Sequence, residues 1–334
     1  LMLPVSTNGP GGASFWDSLF TATSAVCVTG LMLHDTAQYW SYFGQFVIMI
    51  LIQIGGMGVV TVSIAIAMLS GRKIGLMQRS TMCEAISAHH VGGIVRMTGF
   101  ILRTTIIIEL TGAAAMFPVF CRDFGAVKGL WYSLFHAVSA FCNAGFDLLG
   151  VRSEFSSLTT YADNPVINIT IMTLIVTGGI GFLTWDDIKT HKIHLKKYRM
   201  QSKVILTVTS LLILLPALYF YFVEFSADKW SGMSVSERIL GSFFQSVTPR
   251  TAGFNTVDLT MLSEAGVFIM IILMITGGSP GSTAGGIKTT TIAVLFSSAF
   301  SVFRRKGETN CFHRRISDDT INHAATDRKS SRLN

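Results

Sequence analysis

Long uncharged stretches alternate with short charged ones along this chain of 334 residues. No Asp, Glu, Lys or Arg occurs in five runs, which are 36–71, 164–185, 204–223, 265–287 and 289–303. A helix needs about 20 predominantly apolar residues to cross a bilayer. Lipid leaves no partner for an exposed backbone group, so a spanning segment must be helical. The pattern predicts an all-α polytopic membrane protein.

The distribution of basic residues predicts the orientation in the membrane. Only 13% of the residues are charged, and the net charge is +7. Of the 26 Lys and Arg residues, 19 fall in two connections, 72–103 and 189–203, and after residue 303. An excess of Lys and Arg marks the cytoplasmic side. The segments around 1–30, 122–163 and 224–258 are therefore predicted to face outward, and the positive charge does not indicate nucleic acid as a partner.

Two sequence elements repeat three times in the same order. The first covers 16–31, 131–146 and 240–254, with Phe20, Phe135 and Phe244 in register. A glycine follows this Phe after ten, ten and nine residues, and a Gly-Gly pair follows that glycine after 25, 33 and 24 residues. Repetition of both elements predicts three copies of one structural unit.

Each copy is predicted to contain an outer helix, a short helix of about eleven residues, a glycine-containing loop and a long second helix. Ser14 with Asp17, and Ser234 with Glu237, have the spacing of a helix N-terminal capping box. The predicted units are 14–71 (without an outer helix), 95–187 and 201–303, followed by a polar cytoplasmic tail at 304–334. Irregular backbone at membrane depth is tolerated where it lines a water-filled path.

The loops have the composition of a carbonyl selectivity filter. Rings of backbone carbonyls replace the hydration shell of K⁺, and glycine lets the chain turn its carbonyls inward. The C-terminal end of each short helix adds about half a negative charge. The predicted ion-binding residues, none of them acidic, are Val28, Thr29, Gly30, Asn143, Ala144, Gly145, Thr251, Ala252 and Gly253. Close packing of helices at small residues is the alternative interpretation.

Four segments, 23–31, 139–146, 248–255 and 277–289, resemble the KtrB/TrkH potassium uptake proteins of the Trk/Ktr/HKT superfamily. The resemblance covers about residues 14–306. It implies K⁺ uptake across the plasma membrane through four such repeats around a pseudo-fourfold pore, with the filter loops outside. It also implies a homodimer and a cytosolic nucleotide-binding regulatory ring of the KtrA/TrkA kind. Members with glycine at the filter position of the first repeat favour K⁺, and Gly30 matches that position. The compact chain resembles the Ktr branch, which is often sodium-stimulated, more than the longer Trk branch. K⁺ at the filter is the only metal implied, and no bound cofactor is.

The second helix of the third copy is predicted to break. Ten residues rich in glycine and hydroxyl groups cannot continue a regular helix at acceptable cost, and broken helices at mid-membrane mark transport sites. The resemblance implies a gate loop below the filter, formed by Gly277, Gly278, Ser279, Pro280, Gly281, Ser282, Gly285, Gly286 and Lys288. A phosphate-binding loop is excluded because Ile287, not Lys, follows the second glycine.

The sequence also supports expectations for several other charged residues, and two of these expectations have an alternative. Glu109 is a functional candidate because it is an intramembrane carboxylate, or a structural partner of His136. Arg250 is expected to point away from the pore, toward carbonyls or an acid. Asp186 and Asp187 are expected to be solvated, and His89 and His90 do not indicate a metal site. The basic segment 189–203 could contact a regulator or anionic lipid, or reflect ordinary topology.

The sequence departs from the family pattern at both ends. Residues 1–15 cannot supply an outer helix, and 304–334 contain no fourth pore helix. A truncated or frameshifted reading frame and a split protein are both consistent with this.

Two other functions stay open: a non-conducting remnant, and a substrate-binding secondary transporter, which would need polar side chains at mid-membrane. No HExxH motif or catalytic Cys/His pairing indicates an enzyme.

Overall fold

The computed structural model describes residues 1–70, 75, 77, 80, 81, 83, 93–304, 310–312 and 314–330. The helices of these residues are α1 (Phe15–Val26), α2 (Thr36–Tyr39), α3 (Tyr42–Met57), α4 (Val59–Leu69), α5 (Ile94–Phe124), α6 (Ala126–Phe141), α7 (Pro165–Gly179), α8 (Phe182–His191), α9 (Met200–Tyr219), α10 (Val235–Val247), α11 (Glu264–Ile275), α12 (Thr289–Phe303) and α13 (Asp318–Ser330). Short 3₁₀ turns lie at Pro4–Ser6, Leu149–Val151, Thr159–Tyr161, Leu195–Lys197, Asp228–Trp230 and Leu259–Met261.

The only strands among the described residues are β1 (Asn310–Cys311) and β2 (Arg314–Arg315), which pair antiparallel. A π-helical turn, Phe220–Glu224, continues α9. The prediction of an all-α membrane fold is therefore confirmed, with this two-residue ladder as a minor addition. The short helices α1, α6 and α10 have 12, 16 and 13 residues, slightly more than the sequence indicated.

The predicted capping signals start two of the short helices. The hydroxyl of Ser14 accepts a hydrogen bond from the amide of Asp17 at the start of α1. At the start of α10, Ser234 and Glu237 form a complete capping box. Each cap satisfies amides that the first helical turn leaves without a partner. The local sequence thus fixes where these re-entrant helices begin.

Two helices in the described part of the chain are long and apolar enough to cross a membrane, Val95–Phe124 and Met200–Glu224. Two further spans are possible if each of two bent helix pairs counts as one. The pairs are α3 with α4, bent by 100°, and α7 with α8, bent by 99°. The long second helix predicted for each of the first two copies is thus present as two shorter helices with a sharp bend between them.

A glycine with positive φ forms each of these bends. Gly58 lies between α3 and α4 with φ 82° and ψ 134°, and Gly181 lies between α7 and α8 with φ 86° and ψ 146°. Left-handed backbone of this kind interrupts the helical hydrogen-bond ladder and is accessible to glycine without steric cost. All three second helices are therefore broken, and not only the third.

The core surrounds α6, which packs against α5 and α7 of its own copy and against α3 of the first. In the same way, α10 of the third copy packs against α7 of the second. Phe135, Phe141, Phe146, Phe244 and Phe254 are completely or almost completely buried. The indole of Trp131 donates to Gln45 Oε1 at 2.8 Å and joins α6 to α3. Successive copies are thus interlocked through the short helices.

Candidate functional site

The three loops after α1, α6 and α10 have the same unusual backbone. We call residues 28–31, 143–146 and 251–254 the filter strands. Their first residues, Val28, Asn143 and Thr251, have φ of 56°, 57° and 61°, although none is glycine. The glycines two positions later, Gly30, Gly145 and Gly253, have φ of 72°, 71° and 83°. Left-handed backbone at non-glycine residues is uncommon and costly. Its occurrence at the same place in all three copies indicates a functional conformation.

A hydroxyl group braces each filter strand. Ser139 Oγ donates to the carbonyl of Phe146 at 2.7 Å. Ser24 Oγ donates to the carbonyl of Leu31 at 2.7 Å, and Thr248 Oγ1 to that of Phe254 at 2.6 Å. The backbone carbonyls of the same three hydroxyl residues accept from the amides of Thr29, Ala144 and Ala252. The strained conformation is therefore held by side-chain and backbone bonds together.

The filter strands converge at their glycines. A Cβ atom on Gly30 would lie 2.6 Å from the carbonyl oxygen of Ala144. A Cβ on Gly145 would lie 2.6 Å from the carbonyl oxygen of Ala252. Contacts under about 3 Å are not possible for a real side chain, so the backbones approach each other only because these positions are glycine. The structure thus brings the three predicted filter segments together.

Burial differs among the three strands. Asn143, Ala144 and Gly145 are buried in the middle, whereas Val28, Thr29 and Thr251 are at least partly exposed. The first and third strands both line a cavity of about 580 Å³, which Gly285 and Gly286 also line. None of the filter strands contains an acidic residue. The polar groups available to a cation on these strands are therefore backbone carbonyls and neutral side chains.

The Gly-Gly pairs pack against the C-terminal ends of the short helices. A Cβ on Gly55 would lie 2.0 Å from the carbonyl oxygen of Val26, the last residue of α1. A Cβ on Gly178 would lie 2.0 Å from the carbonyl oxygen of Phe141, the last residue of α6. These helix ends carry partial negative charge. In the third copy, Gly277 instead contacts the carbonyl of Gly285.

The glycine-rich segment 277–288 of the third copy is docked on the second copy. The amides of Ser279 and Thr283 donate to the carbonyls of Gly179 and Gly178, at 3.0 and 3.2 Å. The amide of Phe182 donates to the carbonyl of Gly281 at 2.8 Å. The open helix break at 179–182 thus offers backbone groups that a continuous helix would have used internally.

Two side chains connect the same segment to the filter region. Thr283 Oγ1 donates to the carbonyl of Phe141 at 2.9 Å, and Thr251 Oγ1 accepts from the amide of Gly285 at 3.1 Å. Lys288 Nζ donates to the carbonyl of Ala284 at 2.9 Å. A lysine at membrane depth is costly unless it has a partner, and Lys288 finds one within the segment itself.

The predicted pairing of Glu109 with His136 is wrong. Glu109 lies in the middle of α5, is 6% exposed and lies beside the side chain of Gln53. The two ring nitrogens of His136 bond the carbonyl of Tyr132 at 2.7 Å and the amide of Leu148 at 3.4 Å. Because both ring nitrogens are occupied, the histidine has no nitrogen left for the carboxyl group.

Arg250 and Asp187 also differ from expectation. Arg250 is 2% exposed, and its Nη2 lies 3.4 Å from Thr209 Oγ1, which is neither a carbonyl nor an acid. Asp187 is 1% exposed, not solvated, and accepts from Ser202 Oγ at 2.6 Å and from the amide of Arg199 at 3.0 Å. Asp186 pairs with Arg199 at a more exposed position. His89 and His90 lie outside the described residues.

Sequence reasoning missed several residues that shape the site. The bracing hydroxyls Ser24, Ser139 and Thr248 stand in one column of the aligned copies, so a repeated hydroxyl residue could have revealed them. Gly58 and Gly181 close the motif Gly-Gly-x-Gly in the first two copies, and this shared glycine was the available signal. Thr283 had no such signal because its partner, Phe141, lies 142 residues away.

The geometry defines a class: a multi-pass membrane protein in which re-entrant helices direct their C-terminal ends at converging backbone strands. The sequence matches the TrkH family, described as cation transport proteins, over residues 12–327. It is 40% identical to the potassium/sodium uptake protein NtpJ of Enterococcus hirae over 326 residues, which are 98% of this chain and 71% of that protein. The chain belongs to the TrkH family.

Two further comparisons agree. The chain is 39% identical to the Ktr system potassium uptake protein B of Bacillus subtilis over 317 residues, 95% of this chain and 69% of that protein. The crystal structure of the potassium transporter TrkH from Vibrio parahaemolyticus has a similar fold, with a TM-score of 0.70 at 18% identity. That match covers 94% of this chain and 62% of the other. The family is one of cation transporters and not of enzymes.

Proposed function

We propose that this chain forms a potassium uptake pathway in the cell membrane, with K⁺ bound by backbone carbonyls of the three filter strands. The observation that carries the proposal is the repeated left-handed backbone at Val28 and Gly30, braced by Ser24, and its counterparts in the other copies. Backbone carbonyls replace the hydration shell of K⁺ in such filters, and groups that are ordered in advance lose less free energy when the ion binds. The bracing hydroxyls supply that preorganisation. Two relatives are potassium uptake proteins by name.

The proposed units are 14–71, 95–187 and 201–303, followed by the tail 304–334. The packing of α3 on α6 and of α7 on α10 supports this division, because each second helix contacts the next short helix. The filter loops would face outward, since the basic connections 72–103 and 189–203 mark the cytoplasmic side. K⁺ would then enter the filter before it reaches the segment 277–288.

Residues 277–288 are proposed as the gate loop. The loop shares the 580 Å³ cavity with the filter strands and is docked on the helix break through Gly178, Gly179 and Phe182. These bonds are few and local, so a small movement of α8 would exchange them for water. Opening would require breaking these three backbone hydrogen bonds and the two bonds made by the Thr283 and Thr251 side chains, each with a net value of about 1 kcal/mol. A free-energy difference of that size between the closed and open states suits a regulated gate.

The ion specificity and the partners are further parts of the proposal. Glycine in all three filter strands fits K⁺ selectivity, while the name of the Enterococcus hirae relative includes sodium, so Na⁺ is proposed as a modulating ion. The Bacillus subtilis relative is named as part of a Ktr system. We therefore include a homodimer and a cytosolic nucleotide-binding regulatory ring as partners. No cofactor is proposed for the chain itself.

A chimera tests the transport function directly. Residues 14–303 would replace the matching segment of the Bacillus subtilis uptake protein, in a bacterium without its own K⁺ uptake systems. We expect K⁺ uptake and growth at low potassium, with K⁺ preferred over Na⁺. A chimera that inserts into the membrane yet transports neither ion, or both equally, would contradict the proposed filter. Parallel flux measurements in liposomes separate transport from effects on growth.

A further inference from the structure

A groove that the transport pathway does not use lies between α5 and α8, at the basic end of the molecule. Its volume is about 1130 Å³, and Phe100, Ile107, Trp185 and Ile188 contribute apolar walls. Arg96, Arg103 and Lys189 also line it. No aspartate or glutamate is among the described residues that line this groove. The groove therefore combines an apolar interior with three positive charges.

The sequence places these residues on one stripe of each helix. On α5, Arg96, Phe100, Arg103 and Ile107 are separated by three or four residues and therefore share a face. The stripe extends about 16 Å along the helix axis, at 1.5 Å per residue. Its cationic members lie toward the start of α5, and Ile107 is 64% exposed toward the middle of the span. The stripe is therefore charged near the start of the helix and apolar further into the membrane.

On the opposite wall of the groove, which α8 forms, the positive charge of Lys189 lies beside the groove. Lys189 Nζ lies 4.7 Å from the centre of the Phe100 ring, across the space between α8 and α5. The indole of Trp185 donates to the carbonyl of Thr177 at 3.0 Å and is half-buried. Trp at a membrane–water boundary and Lys over an aromatic face are both stable arrangements. These two contacts hold Trp185 and Lys189 beside the groove.

The two aspartates nearest to Lys189 in sequence pair with a different residue. Asp186 and Asp187 both pair with Arg199, at 3.0 and 3.4 Å. Basic pockets between membrane helices on the cytoplasmic side bind the head groups of anionic lipids. A soluble anion would use the charges but would gain nothing from the apolar wall beside Ile107.

We propose that this groove binds one anionic phospholipid of the adjacent leaflet. The phosphate lies between Arg96, Arg103 and Lys189, and an acyl chain lies along Ile107 and Ile188. Since α8 follows the break on which the segment 277–288 is docked, the bound lipid also restrains that end of the molecule. The site lies outside the filter and is independent of whether the chain conducts K⁺.

Quenching of Trp185 fluorescence tests the proposal. The full chain would be reconstituted with brominated phosphatidylglycerol or brominated phosphatidylcholine, and the Trp185 signal taken as the difference from Trp185→Phe. We expect a strong preference for phosphatidylglycerol. Removing two cations, in Arg96→Gln with Arg103→Gln, should reduce that preference about 25-fold, because each cation contributes about fivefold.

A matched pair of substitutions controls for net charge. Lys196→Gln with Lys197→Gln removes the same charge from the exposed connection and should keep the preference. If the first pair disturbs folding, Lys189→Gln alone should reduce the preference about fivefold. Equal quenching by both lipids, no quenching by either, or equal loss in the control pair would overturn the proposal. So would displacement by glycerol phosphate, which has the charge but no acyl chain.

Discussion

Ser139 donates its hydroxyl to the carbonyl of Phe146 at 2.7 Å, across the filter strand that the two residues enclose. Ser24 with Leu31, and Thr248 with Phe254, repeat this relationship in the other copies. A bond from the short helix to the far end of the strand fixes both ends of the loop. The conformation of the filter is therefore held by each copy separately, before the copies meet at the glycines.

Loss of the brace in the second copy should loosen the filter. Ser139→Ala leaves the completely buried position filled but leaves the Phe146 carbonyl without its donor. We expect a loss of about 1–3 kcal/mol in the free energy of unfolding, and weaker discrimination of K⁺ from Na⁺. Ser153→Ala, at an exposed position, is the control. Unchanged ion selectivity would show that the brace has no role in the filter.

A methyl group at the convergence of the strands should block assembly of the filter. In Gly145→Ala the new Cβ would meet the carbonyl oxygen of Ala252 at 2.6 Å, at φ 71°. We expect K⁺ uptake to fall to background while the protein still inserts in the membrane. Gly232→Ala, where nothing lies within 4 Å, should transport normally. Normal uptake by Gly145→Ala would place the ion path elsewhere.

The two helix breaks offer a matched test of the gate loop. Gly181→Ala would bring a Cβ to 2.7 Å from the carbonyl oxygen of Pro280, whereas Gly58→Ala meets nothing within 4 Å. Both positions have a similar positive φ, so the backbone strain of about 1–2 kcal/mol is common to both. We expect a higher unregulated K⁺ flux only in Gly181→Ala. Equal flux in the two variants would argue against docking at this break.

The loop after the second filter strand should make the free energy of unfolding depend on pH. Burial, with the charge of nearby Asp35, raises the pKa of Asp147 to about 7. Its carboxyl accepts from the amide of Leu149, and the ring of His136 accepts from the amide of Leu148 next to it. An unfolded aspartate ionises at about pH 3.9, so the folded state binds more protons between pH about 4 and 7. The free energy of unfolding should therefore fall as pH rises through this window.

Asp147→Asn removes that titration. Its thermal stability should change less between pH 5 and 8 than that of the wild type, and it should be the more stable protein at pH 8. Asp163→Asn, an exposed change of the same charge, should keep the wild-type slope. Parallel pH profiles for wild type and Asp147→Asn, measured by thermal melting in detergent, would contradict the assignment.

A buried acid should stabilise the junction of α8 and α9. Asp187→Asn weakens the bonds from Ser202 Oγ and from Arg199, which a charged acceptor makes stronger. We expect a loss of about 2 kcal/mol in stability. Asp186→Asn, whose pair with Arg199 is largely exposed, should cost less than about 0.5 kcal/mol. Equal melting temperatures for the two variants would contradict the structural role of Asp187.

Much of this fold was predictable because its signals are local. Charge-free runs, capping boxes and a repeated Phe–glycine spacing each report on a short stretch of chain. They located the outer helices, the re-entrant helices and the break in the third copy within a few residues. The bends at Gly58 and Gly181 were missed because a glycine permits left-handed backbone without requiring it. Glu109 was assigned the wrong neighbour because Gln53, which lies beside it, belongs to another copy.

The sequence by itself determined the class of protein and the composition of its repeated loops, because hydrophobic pattern and composition can be recognised within tens of residues. Only the tertiary structure decided which backbones touch. Thr283 reaches Phe141, and Gly30 meets Ala144, through contacts between segments more than 100 residues apart. Such contacts depend on how whole helices pack, and packing selects among many pairings that the local sequence leaves equally possible.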